Sequence, residues 1–292
     1  MSVLLDAEKS VVIQGITGKM GRFSARDLME YGTKVVAGTA PGRGGSSVEG
    51  VPVFESVAAA VRGTGADTAL TYVPAAAALD AVLEALDAGC RLVVYPGDGL
   101  PVADAIEMRA AAKERGAVLL GPNTPGLISP GRAKLGFMPS TCFAPGPLGV
   151  ISRSGSLSYE VSKRLTVAGL GQTTVIGIGG DPVKGLTAGE ALALLHADPE
   201  TTGIVYLGEI GGGDEYDIAA YTSHPDAKPT AALVVGRSAP PGRKMGHAGA
   251  LVSSRRDTHE AKMQALLEAG VYATASMAAL VPLVREMMHY ES

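Results

Sequence analysis

Short apolar, β-branched runs, each closed by a glycine-rich turn and followed by a helix-forming stretch, recur along the whole 292-residue chain. "SVVIQG" (10–15) leads into "GKMGRFSARDLMEYG" (18–32), where Met20, Phe23, Leu28 and Met29 can share one side of an expected helix. "TKVVAGT", a run at Val51–Phe54, "ADTALTYVP", an Ala-rich helix over 75–88, "CRLVVYPG", a helix over 102–115 and "GAVLLGPN" continue the rhythm. Parallel strands cannot be joined by tight hairpins and need helical crossovers, so the pattern predicts a parallel sheet covered by helices on both faces.

The stretch 121–147 is rich in Pro and Gly and lacks periodicity, so a junction is placed at 126–147, between domains over 1–125 and 148–292. Beyond it the rhythm restarts: "LGVISRSG", a helix over 155–168, "TTVIGIGG", a helix over 187–196, "GIVYLGEIGG", a helix over 213–223 and "AALVVGRSA". A loop over 238–257, a helix over 258–269, "VYATAS" and a helix over 276–290 complete a second doubly wound sheet. The fold class is thus α/β, a Rossmann-like domain followed by a second parallel-sheet domain. Ligands of open parallel sheets bind beyond the carboxyl ends of the strands, and the glycine-rich turns fall at such ends.

A net charge of −4 gives no general attraction to nucleic acid or to an anionic membrane surface, and aromatic residues at 4% offer little for base stacking. The N-terminus shows no signal peptide, and no membrane span is visible; the expected location is the cytoplasm. Cys90 and Cys142 lie far apart and form no metal-binding pattern, so no metal site is expected.

Gly15, Gly18 and Gly21 stand between a strand and a helix in the spacing GxxGxxG. That spacing resembles a dinucleotide fingerprint and fits equally a tight strand–helix turn without ligand. An NAD site wants an acid at the end of the second strand; here "VVAGTAPGRGG" supplies Arg43 instead. A cation there suits a phosphorylated ribose, as in NADP or in the 3′-phospho-ADP part of coenzyme A.

In the second half, Ser154 and Gly155 open a helix in "SRSGSLSYE". The unpaired N–H groups of a helix start favour an anion, although Ser154 also reads as an ordinary N-cap. "GIGGDP" adds a turn on the same rim. Glu209 ends the strand of "YLGEIGGG". His196, His224, His259 and His289 fit caps, turns and solvated faces; His247 instead lies in "RKMGHAGALVSS", among residues too small to bury it. A neutral imidazole is a competent nucleophile, and a carboxylate on its other nitrogen fixes the tautomer. Glu209 is the natural partner, and the helix start at Ser154 can offer positive dipoles to a transferred phosphoryl group.

Taken together, "GRKMGHAGA" (242–250), "GEIGG" (208–212), "SRSGSLSYE" (152–160), "GIGGDP" (177–182) and "GPNTPG" (121–126) resemble, in order and spacing, the α subunit of succinyl-CoA synthetase, one of the NDP-forming acyl-CoA synthetases. The resemblance runs from Met1 to about Glu286. It implies a Rossmann-like CoA-binding domain and a flavodoxin-like ligase domain. It also implies that His247 becomes phosphorylated, that Glu209 orients it and that Ser154 with Gly155 holds the phosphate. Tyr159 and Asn123 match positions at the carboxylic-acid site, and Thr17, Gly18, Lys19, Met20, Arg43, Val73, Pro74, Pro96, Gly97 and Asp98 match coenzyme A contacts.

The implied reaction has three steps. A nucleoside triphosphate phosphorylates His247, the phosphoryl group passes to a carboxylate, and the CoA thiol attacks the acyl phosphate. ATP or GTP with Mg2+ would be held mainly by a β subunit with an ATP-grasp domain, in an αβ heterodimer or heterotetramer. Gly97-Asp98-Gly99 stands where the family usually has Thr-Glu-Gly, Arg43 replaces a Lys, Lys19-Met20 replaces a more polar pair, and "FMPST" (137–141) departs from the commoner small-residue version. These departures bear on the acid: succinate is expected first, malate or another small dicarboxylate second. Two further readings are an NADP-dependent reductase, which gives His247 no role, and a non-catalytic CoA-sensing scaffold.

Overall fold

The computed structural model describes residues 3–240 and 242–289. The chain divides into two compact units, one holding Leu4–Met138 with Val183–Leu186, the other Pro139–Pro182 with the chain from Thr187 on.

In the first unit the strands are β1 (Ser10–Gln14), β2 (Lys34–Thr39), β3 (Ser47–Val48), β4 (Val51–Phe54), β5 (Thr68–Thr71), β6 (Leu92–Val94) and β7 (Val118–Leu120). The helices between them are α1 (Lys19–Tyr31), α2 (Val57–Thr64), α3 (Ala78–Asp87) and α4 (Val102–Glu114). The sheet order is β3-β4-β2-β1-β5-β6-β7, parallel except for the antiparallel β3–β4 edge pair. Setting β3 aside, this is the 3-2-1-4-5-6 order of a dinucleotide-binding sheet, whose direction of winding reverses beside β1. β1 and β5 are buried along their whole length, the signature of strands covered on both faces. Val12, Val93, Met108 and Leu119 lie at the centre of the core they share with the helices.

The stretch read from the sequence as an aperiodic junction contains an antiparallel hairpin, β8 (Gly126–Ser129) with β9 (Ala133–Gly136). The strands are four residues each, too short for a periodic signal. They approach closely because a Cβ on Gly126 would lie 1.9 Å from the Leu135 carbonyl oxygen.

The second unit has strands β10 (Pro145–Ser152), β11 (Gln172–Gly177), β12 (Gly203–Glu209), β13 (Thr230–Val235) and β14 (Tyr272–Thr274). Its helices are α5 (Gly155–Val167), α6 (Ala188–Ala197), α7 (Asp214–Thr222), α8 (His259–Glu268) and α9 (Met277–Met287). These strands are parallel and run β14-β13-β12-β10-β11, the 2-1-3-4-5 order of flavodoxin-like sheets. Ile151, Val205, Leu207 and Leu233 are buried at its core. The winding reverses between β10 and β12, so the turns after Ser152 and Glu209 open into one crevice. The helix expected to reach residue 290 ends at Met287, with residues 290–292 outside the described part.

Candidate active site

The loop carrying His247 is held by its own backbone: Gly242 N–H donates to Val252 O, Met245 N–H to Ala250 O and Ala250 N–H to His247 O. Gly246 sits at φ +83°, a conformation that favours glycine. The loop is fastened to the turn after β11 by Gly249 N–H donating to Gly180 O at 3.0 Å. Gly180 lies flat against the imidazole, since a Cβ there would meet His247 Cγ at 2.5 Å.

The imidazole reaches Glu209 at the end of β12, with Nδ1 at 2.8 and 3.0 Å from the two carboxylate oxygens. A carboxylate only accepts, so Nδ1 carries the proton and, in the neutral ring, Nε2 is left as the free base and nucleophile. The hydrogen bond that Nδ1 donates to Glu209 pushes the His247 pKa above its usual 6.5, and the attraction of the same carboxylate adds to it, against burial and the nearby Arg153. Glu209 itself is buried while the His247 side chain is a quarter exposed, so the carboxylate is shielded and the ring can be approached.

Beneath this pair lies a network of buried charge. Arg153, directly before the α5 cap, places Nη2 3.2 Å from Glu209 Oε1, donates from Nη1 to Gly211 O at 2.7 Å and sets Nε 3.4 Å from Asp214 Oδ2. Lys262 on α8 donates to the carbonyls of Glu209 and Gly211 and pairs with Glu215. Glu215 also accepts from Tyr206 OH at 3.1 Å and from Glu209 N–H at 3.2 Å. Burial raises the Glu215 pKa and lowers that of Lys262, each opposed by the partner's charge.

Ser154 caps α5, its hydroxyl accepting from Leu157 N–H at 3.4 Å, and the first turn of the helix carries no acidic side chain. Ser154 and Gly155 follow Arg153, which contacts Glu209, but their own hydrogen bonds stay within residues 152–158 at the start of α5. Tyr159, a turn further along α5, is half-buried edge-on to Phe143; burial, then Cys142, pushes its hydroxyl pKa up to about 12.

In the first unit a cleft of about 590 Å³ opens at the carboxyl ends of β1, β2 and β5, lined among others by Gln14, Gly15, Thr17, Arg43, Val73 and Glu84. Of the residues assigned to coenzyme A, Thr17, Arg43 and Val73 line it. Gly18 is the α1 N-cap without a side-chain cap, and Lys19 and Met20 follow, exposed, leaving that helix start open to an anion. Pro74 lies exposed after β5. Pro96, Gly97 and Asp98 belong to the turn after β6, outside the cleft lining; there Gly97 O accepts from Asn123 N–H at 2.7 Å, with Asn123 at φ +54°. The loop bearing Arg43 is shaped by Glu55, whose carboxylate accepts from the amides of Gly42 and Gly44 at 2.7 and 2.6 Å.

Sequence reasoning missed Arg153, Glu215, Lys262, Gly180 and Glu55. Arg153 and Gly180 stood inside motifs already singled out; the other three make their contacts from outside any motif. No group of three His, Cys, Asp or Glu side chains among the described residues is placed to hold a metal ion. Likewise no helix among them is long and apolar enough to cross a membrane.

Residues 6–96 match the model of a CoA binding domain and residues 151–272 that of a CoA-ligase. The chain is 47% identical over 288 residues to the succinate–CoA ligase [ADP-forming] subunit alpha 1 of Archaeoglobus fulgidus, covering 99% of both chains. It is 43% identical over 275 residues to the malate–CoA ligase subunit alpha of Methylorubrum extorquens, covering 93% of each. The ATP citrate lyase of Methanothrix soehngenii, solved with citrate and coenzyme A, superposes with a TM-score of 0.88 at 23% identity over 99% of this chain; this chain spans half of that one.

Proposed function

This chain belongs to the succinate–CoA ligase alpha-subunit family, and on that premise we propose that it joins a small dicarboxylate to coenzyme A through a phosphohistidine at His247. It is an acid–thiol ligase subunit. The observation that carries the histidine reading is the contact of Nδ1 with Glu209, which leaves Nε2 as the nucleophile. Nε2 would attack the terminal phosphorus of a nucleoside triphosphate, the nucleoside diphosphate leaving with the bond electrons. The phosphoryl group would then pass from Nε2 to a carboxylate oxygen of the acid, and the thiol of coenzyme A would displace phosphate from the acyl carbon. Ser154, Gly155 and the α5 start supply donors for the phosphoryl oxygens, a role supported by a first turn free of acids. Tyr159, kept protonated, and Asn123 are assigned to the acid.

Coenzyme A fits the first unit by chemistry: an uncapped helix start at Gly18, and Arg43 on the cleft wall for a phosphate. In this reading residues 1–125 serve as the CoA-binding domain and 148–292 as the ligase domain. The triphosphate, ATP or GTP with Mg2+, is assigned to a β subunit with an ATP-grasp domain, in an αβ heterodimer or heterotetramer in the cytoplasm. Succinate is the first acid; malate is the second reading, favoured by the 43% identity to a malate–CoA ligase subunit.

The test is co-purification with the β subunit, labelling from γ-labelled ATP or GTP, and thioester formation with succinate and with malate. Acid-labile label lost in His247→Ala is expected. Label retained in that variant, or tight NADPH binding without binding of coenzyme A, would refute the proposal.

A further inference from the structure

Glu209 does not face His247 alone. Nδ1 of the imidazole lies 2.8 Å from its Oε2 and 3.0 Å from its Oε1, and Arg153 Nη2 holds Oε1 at 3.2 Å, so a permanent cation and a titratable ring share one carboxylate. Arg153 is 1% exposed and cannot swing away to water. Its fork reaches Glu209 and Gly211 O, while Nε faces Asp214 Oδ2 at 3.4 Å as a charge contact without a hydrogen bond, on the end of β12 and the start of α7. Glycine makes room for this arrangement: a Cβ on Gly249, two residues after His247, would meet Arg153 Nη2 at 2.9 Å. The other charged groups about His247 are Glu209 and, on the loop after β11, Asp181. Lys262 fixes the Glu209 backbone from below without touching its carboxylate.

We propose that Arg153 is a positioning residue for the phosphoryl-transfer histidine. Attracted by the Asp214 charge at 3.4 Å, it holds the Glu209 carboxylate in place against Nδ1 and limits the negative charge that the imidazole receives. Too strong a hold by Glu209 would keep His247 as imidazolium, whose Nε2 has no lone pair to attack with. Too weak a hold would release the ring from its tautomer and orientation. Arg153 sets the balance by drawing on the same carboxylate through Oε1, while the shorter imidazole contact is to Oε2, and Asp214 in turn draws Arg153 back from Glu209. This inference rests on the phosphohistidine reading for its functional consequence, but its test does not.

Titration of His247 in the full chain, by NMR of 13C-labelled imidazoles assigned with a His247 variant, reads the balance without nucleotide. Arg153→Gln is expected to move the His247 titration to higher pH, and Asp214→Asn to move it to lower pH, because the freed guanidinium then holds Glu209 harder. Arg153→Lys, which keeps the charge but loses the fork, should give a smaller upward movement. The Asp214→Asn shift should largely vanish in the Arg153→Gln background and shrink in the Arg153→Lys background, a coupling that general loosening of the fold would not produce. Should Arg153→Gln fail to fold, Asp214→Asn and Arg153→Lys carry the test unaided. Movements of one common sign, or an Asp214→Asn shift that persists without the arginine, overturn the assignment whatever the labelling result. Opposite shifts in a protein that takes up no label would instead sink the phosphohistidine reading and leave the positioning role intact.

Discussion

Gly180→Ala is the most direct perturbation of the proposed nucleophile that removes no polar group. The added Cβ would lie 2.5 Å from His247 Cγ, 2.6 Å from Cδ2 and 3.0 Å from Cβ. Carbon atoms in contact prefer at least about 3.5 Å, so the imidazole must retreat by about 1 Å. Backbone strain plays no part, because Gly180 is not at positive φ. The ring can give way, being on a loop and partly exposed, so the cost in stability should fall at the low end of overpacking, about 1 kcal/mol. Geometry suffers more. The Nδ1 contact to Glu209 is only 2.8 Å, and a displacement of this size takes the ring out of its hydrogen bond or drags the carboxylate with it. Misplacing a reacting group by about 1 Å costs on the order of 100-fold in rate. The assay is the rate of γ-phosphoryl labelling in the presence of the β subunit, beside a melting curve. Gly213→Ala is the control, since a Cβ there meets nothing within 4 Å and that variant should label normally. Labelling of Gly180→Ala within about threefold of the parent would refute the reasoning.

The Glu209 contact should also stabilise the fold in a pH-dependent way. It raises the His247 pKa above 6.5, so its contribution is fully present below that value and is lost as the pH rises through the raised pKa. The melting-temperature gap between the parent and Glu209→Gln is therefore expected to be wider at acidic pH than at alkaline pH; equal gaps would contradict it. In the first unit, Arg43→Ala should weaken coenzyme A about tenfold, the scale of one lost charge-assisted contact. It should leave dephospho-coenzyme A nearly unaffected, and calorimetry with both ligands reads the difference; parallel losses would remove Arg43 from the ribose phosphate.

Strand and helix positions were legible because each buried parallel strand is a continuous apolar run between turns, as in Val11–Ile13 or Ile204–Leu207, and needs only local composition to be seen. The β8–β9 hairpin was not, since its strands are short and its closeness depends on glycines 126 and 136, ten positions apart. His247 and Glu209 stood out as a lone imidazole and a strand-end carboxylate, and 38 residues of separation did not hide them. Glu215 and Lys262 were invisible for the opposite reason. Each is a charged residue on a helix, where sequence alone suggests solvent, and only tertiary packing turns both inward.

The carboxylate of Glu55 already fills the amides of Gly42 and Gly44, the donors that a loop of this kind would otherwise turn toward an incoming phosphate. Two amides of the loop are thus satisfied before any ligand arrives, and in the proposed reading the Arg43 side chain is left to meet the ribose phosphate. If Arg43 reads the phosphate as proposed, selectivity between a phosphorylated and an unphosphorylated ribose rests on one replaceable residue. It could be redesigned by a point change without disturbing the scaffold that presents it.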